Sequence, residues 1–180
     1  MARPSGWRAV ARRSRGRLVI PSGGLCGIDG IKAMAVGTVR RIRLTTRKPP
    51  RALAMAPFVR ARHLRLERLR RPRVIFRGTA SEAITAFPQN TNIAATVTLA
   101  YTVQRTDARR QPAATMTVQV VADPTIRINV HELEIEGDCG RIACRLENKP
   151  SVLNPKTSEL AIRSAIATLR QFFEPVRVGT

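Results

Sequence analysis

The stretch from residue 127 to residue 146 limits the choice of fold more than any other part of this sequence. Val130, Leu133 and Ile135 are interleaved with Glu132, Glu134 and Glu136. Gly137-Asp138-Cys139-Gly140 supplies a turn, and Ile142, Cys144 and Leu146 then alternate with Arg141, Ala143, Arg145 and Glu147. Successive side chains on a strand point to opposite faces, so this pattern predicts a β-hairpin with one buried face and one wet face. Its glutamates and arginines are placed to pair across the two strands. The apolar face of such a hairpin has to be covered by other elements.

Those elements can be read on either side of it. Residues 18–20, Leu-Val-Ile, are a short strand candidate that ends at Pro21. Residues 25–36 have Ile28, Ile31 and Met34 at near-helical spacing, with Gly37 as a stop. Residues 39–46 alternate with one irregular step and predict a strand, which Pro49 and Pro50 close. Residues 51–72 have no clear period and admit a helix face or a solvated loop. Val74, Ile75 and Phe76 predict a strand. Thr79 followed by Glu82 is a capping-box signature for a helix up to Phe87. A buried helix is expected from Ile93, a loop over 104–114, and a strand over 116–122. A last helix starts at Thr157 or Ser158, with Ile162, Ile166, Leu169 and Phe173 as its apolar stripe. The fold class expected is α+β: a mixed or antiparallel sheet with helices packed on one face.

Charge divides the chain. Residues 1–80 hold 21 Lys/Arg against 2 Asp/Glu, while residues 81–180 hold 11 against 10. Residues 1–17 carry six arginines and little apolar periodicity, and are expected to be a basic leader without ordered structure. Residues 18–180 would then form the domain. The Arg-rich start also admits an organelle-targeting reading, which Pro4 and Gly6 weaken. A net charge of +20 attracts polyanions, so a nucleic-acid-binding protein is an alternative function. Aromatic residues make up only 4%, too few for a base-stacking platform, which makes nucleic acid the less favoured partner. No apolar run approaches the roughly 20 residues that cross a bilayer, so the expectation is a cytoplasmic protein with no membrane partner. Cys26, Cys139 and Cys144 are an odd number and imply no disulfide framework. No second cysteine or histidine pair completes a zinc site, so no metal is expected.

Two histidines carry the candidate proton chemistry. His63 lies in the Arg-rich stretch and is expected to face solvent. His131 follows Asn129 at the start of the best-defined strand, among apolar neighbours, where an imidazole can transfer protons near neutral pH. Asn90, Asn92, Asp123, Asn129 and His131 make a set of polar residues separated by apolar segments. They either cap loops and strand ends or hold a ligand.

Several ordered segments together resemble one family. Pro21-Ser22-Gly23-Gly24 with Gly27-Ile28-Asp29-Gly30 is similar to the opening of the catalytic domain of L-aspartate dehydrogenases. Leu44-Thr45-Thr46-Arg47-Lys48-Pro49-Pro50 and the amide-rich Phe87-Pro88-Gln89-Asn90-Thr91-Asn92-Ile93-Ala94-Ala95 continue it. So do Val121-Ala122-Asp123-Pro124, Asn129-Val130-His131-Glu132 and Asn154-Pro155-Lys156-Thr157-Ser158. The resemblance implies oxidation of L-aspartate with NAD or NADP to an imine, which hydrolyses to oxaloacetate and ammonia or feeds NAD biosynthesis. It implies His131 as general acid/base, and Gly24 and Asn92 as contacts to the nicotinamide cofactor. Lys156, Thr157 and Ser158, or else Arg47 and Lys48, are expected to meet the substrate carboxylates. No G-x-G-x-x-G or P-loop occurs, so the resemblance covers the C-terminal catalytic domain and not the N-terminal Rossmann domain of such enzymes. The expectation is a fragment or split subunit working with a separate Rossmann-domain chain, and, by the same resemblance, a homodimer through the sheet. A non-catalytic assembly subunit of the same fold is the further alternative.

Overall fold

The computed structural model describes residues 10, 11, 13, 14, 17–88, 92–105, 114–154, 157–176, 178 and 179. Most of the basic leader expected over 1–17 lies outside the described residues, as does most of the loop over 104–114.

Five strands form the sheet: β1 (Val39–Lys48), β2 (Arg73–Thr79), β3 (Met116–Ala122), β4 (Asn129–Gly137) and β5 (Gly140–Asn148). Their order across it is β2-β3-β1-β4-β5. β1 runs parallel to β3, and the other neighbours are antiparallel, so the sheet is mixed as expected. The hairpin forms in the register its alternation requires, with Leu133 opposite Cys144 and Glu132 opposite Arg145. The irregular step in the 39–46 pattern is a register shift of β1 against β4 between Val39 and Arg41, a β-bulge that restores the alternation.

From that bulge onward one face of the sheet is apolar, and the other is mostly charged, with Val121 and Val130 buried beside Arg47 at one end. Ile42 and Leu44 of β1, Val118 and Val120 of β3, and Leu133 and Ile135 of β4 are buried on one face. On the other, Arg41, Arg43 and Arg47 of β1 meet Glu136, Glu134 and Glu132 of β4 at 2.6, 3.7 and 3.1 Å. Arg141 and Arg145 of β5 join the same glutamates from the far side. Each such partly exposed pair is worth at most about 1 kcal/mol, so the lattice sets register more than stability.

Helices cover the apolar face, in agreement with the expected class. α1 (Ile28–Met34) buries Ile31 and Met34. α2 (Pro50–Leu53) and α3 (Pro57–Ala61) each start at a proline, whose fixed φ suits a first helical position. With a 3₁₀ turn at Leu66–Arg68 they bury Leu53, Val59 and Leu66 against Phe87, Val120 and Ala122. α4 (Ala80–Ala86) opens on the expected capping box, with Glu82 N–H donating to Thr79 Oγ1 at 3.3 Å and Thr79 N–H donating to Glu82 Oε2 at 2.7 Å. α5 (Asn92–Gln104) buries Ala94, Val97, Ala100 and Tyr101 in the main core. α6 (Glu159–Arg170) is capped by Ser158 but has no fully buried residue. Residues 18–20, expected as a strand, pair with no ladder, and Leu18 is 58% exposed. An apolar trio becomes a strand only beside a free edge, and this one reaches none.

Candidate active site

The parity of β1 carries its inner face past the apolar residues to Thr46 and then Lys48, both buried. On β4 the inner face runs Ile135, Leu133, His131 and ends near Asn129. On β5 it runs Ile142, Cys144, Leu146, Asn148. All three rows therefore finish in polar groups at the same end of the sheet, beyond the last layer of the apolar core. Lys48, Asn129, His131 and Asn148 line a cavity of about 130 Å³ there. The other walls come from Gly24, from Asn92 and Ile93 in the first turn of α5, and from Thr157, Ser158 and Ala161 at the start of α6.

The structure thus gathers Gly24, Asn92, His131, Thr157 and Ser158, widely separated in sequence, around one space. Lys156 and Asn90 lie outside the described residues. Of the alternatives on β1, Lys48 lines the cavity while Arg47 points to the opposite face of the sheet, toward Glu132 at 3.1 Å and Asp123 at 3.9 Å. Asp123 belongs to the capping reading and not to the ligand reading: its Oδ1 accepts from Thr125 N–H at 2.9 Å and from Thr125 Oγ1 at 2.6 Å. His63 is exposed as expected, in the left-handed region at φ 50° just after α3, away from the cavity lining. Asn148 is a lining residue that no sequence motif singled out.

Electrostatics distinguish this end of the sheet from an ordinary core. His131 is 5% exposed and its Nδ1 lies 3.2 Å from Thr46 Oγ1, directly opposite on β1. Burial, with the nearby Lys48 charge adding to it, lowers the His131 pKa to about 4. The imidazole is therefore neutral at pH 7. When Nδ1–H donates to Thr46, Nε2 keeps a lone pair for a proton. Burial also lowers Lys48, to about 8, which leaves the ammonium mostly charged at pH 7. A buried cation and a neutral base sharing one small cavity suit an anionic ligand that must also give up a proton.

The floor is held by hydrogen bonds. Asn148 Nδ2 donates to the Gly24 carbonyl at 2.8 Å, which fixes the segment before α1 to the end of β5. A Cβ on Gly24 would lie 2.9 Å from both Asn148 Nδ2 and Ser158 Oγ, so no side chain fits there unless those two move. Ser158 Oγ accepts from Ala161 N–H at 3.2 Å as the cap of α6.

Comparison with known proteins is decided on this same stretch. The family model described as "Aspartate dehydrogenase, C-terminal" matches residues 29–172. The chain belongs to the aspartate dehydrogenase family. It is 45% identical over 172 residues to the L-aspartate dehydrogenase of Methanosarcina barkeri, covering 95% of this chain and 60% of that protein. Against the L-aspartate dehydrogenase of Bradyrhizobium diazoefficiens it is 39% identical, covering 95% and 58%. The crystal structure of aspartate dehydrogenase from Thermotoga maritima superposes with a TM-score of 0.74 at 26% identity, covering 97% of this chain and 61% of that one. The chain thus spans about 60% of the length of these relatives. The segment matched to the aspartate dehydrogenase family contains Lys48, Asn92, His131, Asn148, Thr157 and Ser158, and Gly24 lies just before its start.

The depressed His131 makes stability acid-sensitive. Its folded pKa is about 4 against 6.5 unperturbed, so the unfolded chain binds more protons between these values. The stability contributed by keeping the imidazole neutral is present above pH 6.5 and is lost as pH falls toward 4. The loss should reach roughly 3 kcal/mol. Urea unfolding of the native chain and of His131→Gln at a series of pH values isolates it, because the acidic residues titrate in both. Parallel pH dependences for the two proteins would refute the assignment.

Proposed function

We propose that residues 18–180 form the catalytic and substrate domain of an NAD- or NADP-dependent L-aspartate dehydrogenase, oxidising L-aspartate to iminoaspartate. The product hydrolyses to oxaloacetate and ammonia or enters NAD biosynthesis, in the cytoplasm. The observation that carries this reading is the buried, neutral His131 beside the buried Lys48 in the cavity shared with Gly24 and Asn92.

A cavity of about 130 Å³ has room for a four-carbon dicarboxylate, and its rim, where Asn92 is exposed, is where a nicotinamide ring would meet that substrate, with no space for the rest of a dinucleotide. The residues present fit the nicotinamide end: Asn92 is exposed at the rim and offers both an amide donor and an acceptor, and Gly24 brings bare backbone to the wall. When bound, the nicotinamide supplies the two-electron redox chemistry, and the protein supplies orientation and proton transfer. Lys48 takes one substrate carboxylate as a buried charged pair. Thr157 and Ser158 line the same cavity and offer hydroxyl donors, with Lys156 in the same run of sequence. His131 Nε2 takes the proton from the substrate ammonium, gives it up to solvent, and as the regenerated base draws a proton from the water that attacks the imine. A seated carboxylate offsets the Lys48 charge, which is one of the two causes holding His131 low. Substrate binding therefore makes His131 a stronger base when it is needed.

The remaining part of the cofactor calls for a dinucleotide-binding domain, as a separate Rossmann chain or as further sequence. α6 supports this, since it begins at the cavity and carries an uncovered apolar stripe with Leu169 61% exposed, continued by Phe173, 81% exposed, in the turn after its end. Leu169→Glu with Phe173→Glu is expected to weaken association with a separately supplied dinucleotide-binding domain about ten- to a hundredfold, read by calorimetry, with little change in thermal midpoint. Unchanged association would remove α6 from the interface. The charged outer face of the sheet is where the family resemblance puts a homodimer. The nucleic-acid alternative is weakened because Arg41, Arg43 and Arg47 are engaged by glutamates on that face. The test of the reading is aspartate-dependent reduction of NAD or NADP with that domain present.

A further inference from the structure

Two of the three cysteines lie together at a place the proposed chemistry leaves unused. Cys144 is on the inner face of β5 and leans on the segment that leads into α1: a Cβ on Gly27 would lie 3.0 Å from its Sγ. Cys26 adjoins Gly27, and its thiol lies close enough to the Cys144 thiol to help hold that group above its ordinary pKa. Cys26 is exposed and Cys144 half-buried. Cys139 is exposed in the turn between β4 and β5. Two residues before Cys26 the Gly24 carbonyl accepts from Asn148, which is four residues beyond Cys144. The segment and the strand therefore already run side by side, tied at one point, with a pair of thiols at a second.

We propose that Cys26 and Cys144 are an oxidation site, closing to an intramolecular disulfide that fixes the Gly24-bearing segment to β5. With Cys144 Sγ packed against the backbone at Gly27, the neighbouring Cys26 thiol needs only a short approach to reach an S–S bond of about 2.05 Å. With a peroxide as oxidant, the exposed Cys26 sulfur attacks one peroxide oxygen. The O–O bond breaks, water leaves, and Cys26 becomes a sulfenic acid. The Cys144 sulfur then attacks the Cys26 sulfur, the S–O bond breaks, and a second water leaves with the Cys144 proton. One peroxide is reduced by two electrons for each pair of thiols oxidised. Burial, and then the adjoining Cys26 and Asp29, raise the Cys144 pKa, which keeps it a thiol and gives it the resolving part. The inference does not depend on the dehydrogenase reading, because both sulfurs lie outside the cavity lining.

The test is a free-thiol titration of the intact chain before and after one equivalent of hydrogen peroxide, with non-reducing peptide mapping. The expected result is a fall from three thiols to one and a single cross-linked peptide joining Cys26 to Cys144, reversed by dithiothreitol. The oxidised protein should melt roughly 5–10 °C higher, since the bridge closes a long loop. Cys139→Ser should leave the bridge intact, and Cys144→Ser should stop at a dimedone-reactive Cys26. A bridge through Cys139, a disulfide-linked dimer, or equal loss of all three thiols would overturn the proposal. An unchanged melting temperature would overturn the fixing of the segment.

Discussion

Replacing His131 with alanine is expected to lower aspartate-dependent reduction of NAD or NADP about 10²–10⁴-fold, the usual contribution of a positioned general base. The loss should fall on kcat more than on KM, because the imidazole handles protons while Lys48 and the hydroxyls hold the carboxylates. His131→Gln separates chemistry from packing: it can still bond to Thr46 but takes up no proton, so it should be as inactive as the alanine variant while melting closer to the native chain. The assay compares the chain alone with the chain plus a separately supplied dinucleotide-binding domain. Activity that survives in both variants would sink the assignment of His131. Inactivity of the native chain in both settings would favour the alternative of a non-catalytic subunit that keeps the family fold.

The hairpin, the sheet class and the α4 cap were legible because each rests on a local rule that tertiary contacts did not override: period two for β4 and β5, and a Thr–Glu spacing at Thr79 and Glu82. Residues 51–72 were not legible. Their buried residues, Leu53, Ala56, Val59 and Leu66, are divided among three short turns, with Pro57 starting a new one, so no single helical or strand period runs through the stretch. At the cavity, the choice between Arg47 and Lys48 was open in the motif but decidable from parity. Lys48 is even with Ile42 and Leu44, and Arg47 is odd with Arg41 and Arg43. The same parity rule would have found Asn148, which continues Ile142, Cys144 and Leu146. It was missed because an asparagine before Lys149 and Pro150 reads as a turn. Asn92 stood in the polar set that admitted either capping or a ligand, and the family resemblance pointed to it and to Gly24 as cofactor contacts. The stripe of α6 could be read as apolar, yet no sequence rule says what covers it.

Lys48 provides the sharpest pH signature. With a folded pKa near 8, its charge is lost as pH rises through that value, well below the range in which an exposed lysine titrates. A bound carboxylate stabilises the charged form, so binding takes up a proton above pH 8. The affinity for a dicarboxylate should then fall by up to tenfold per pH unit until the pKa of the complex is reached. Succinate is the suitable probe: it offers two carboxylates but no amine, so the only titrating partner over this range is on the protein. Lys48→Met keeps most of the volume and removes the charge. It is expected to weaken succinate binding and raise the KM for aspartate about 10²–10³-fold, the cost of leaving a buried carboxylate without its cation. It should also abolish the decline above pH 8. The two effects must travel together. A Lys48→Met chain that binds weakly but keeps the alkaline decline would mean that another group titrates. A chain with a flat profile and near-native affinity would mean that the carboxylates are held elsewhere, by Thr157, Ser158 and the adjoining Lys156. The remaining consequence falls on His131. Without the Lys48 charge beside it, its pKa should move up from about 4 toward the value that burial alone imposes. Imidazole titration followed by NMR in native and Lys48→Met chains reads that shift directly, and an unmoved His131 would break the coupling on which the substrate-strengthened base depends.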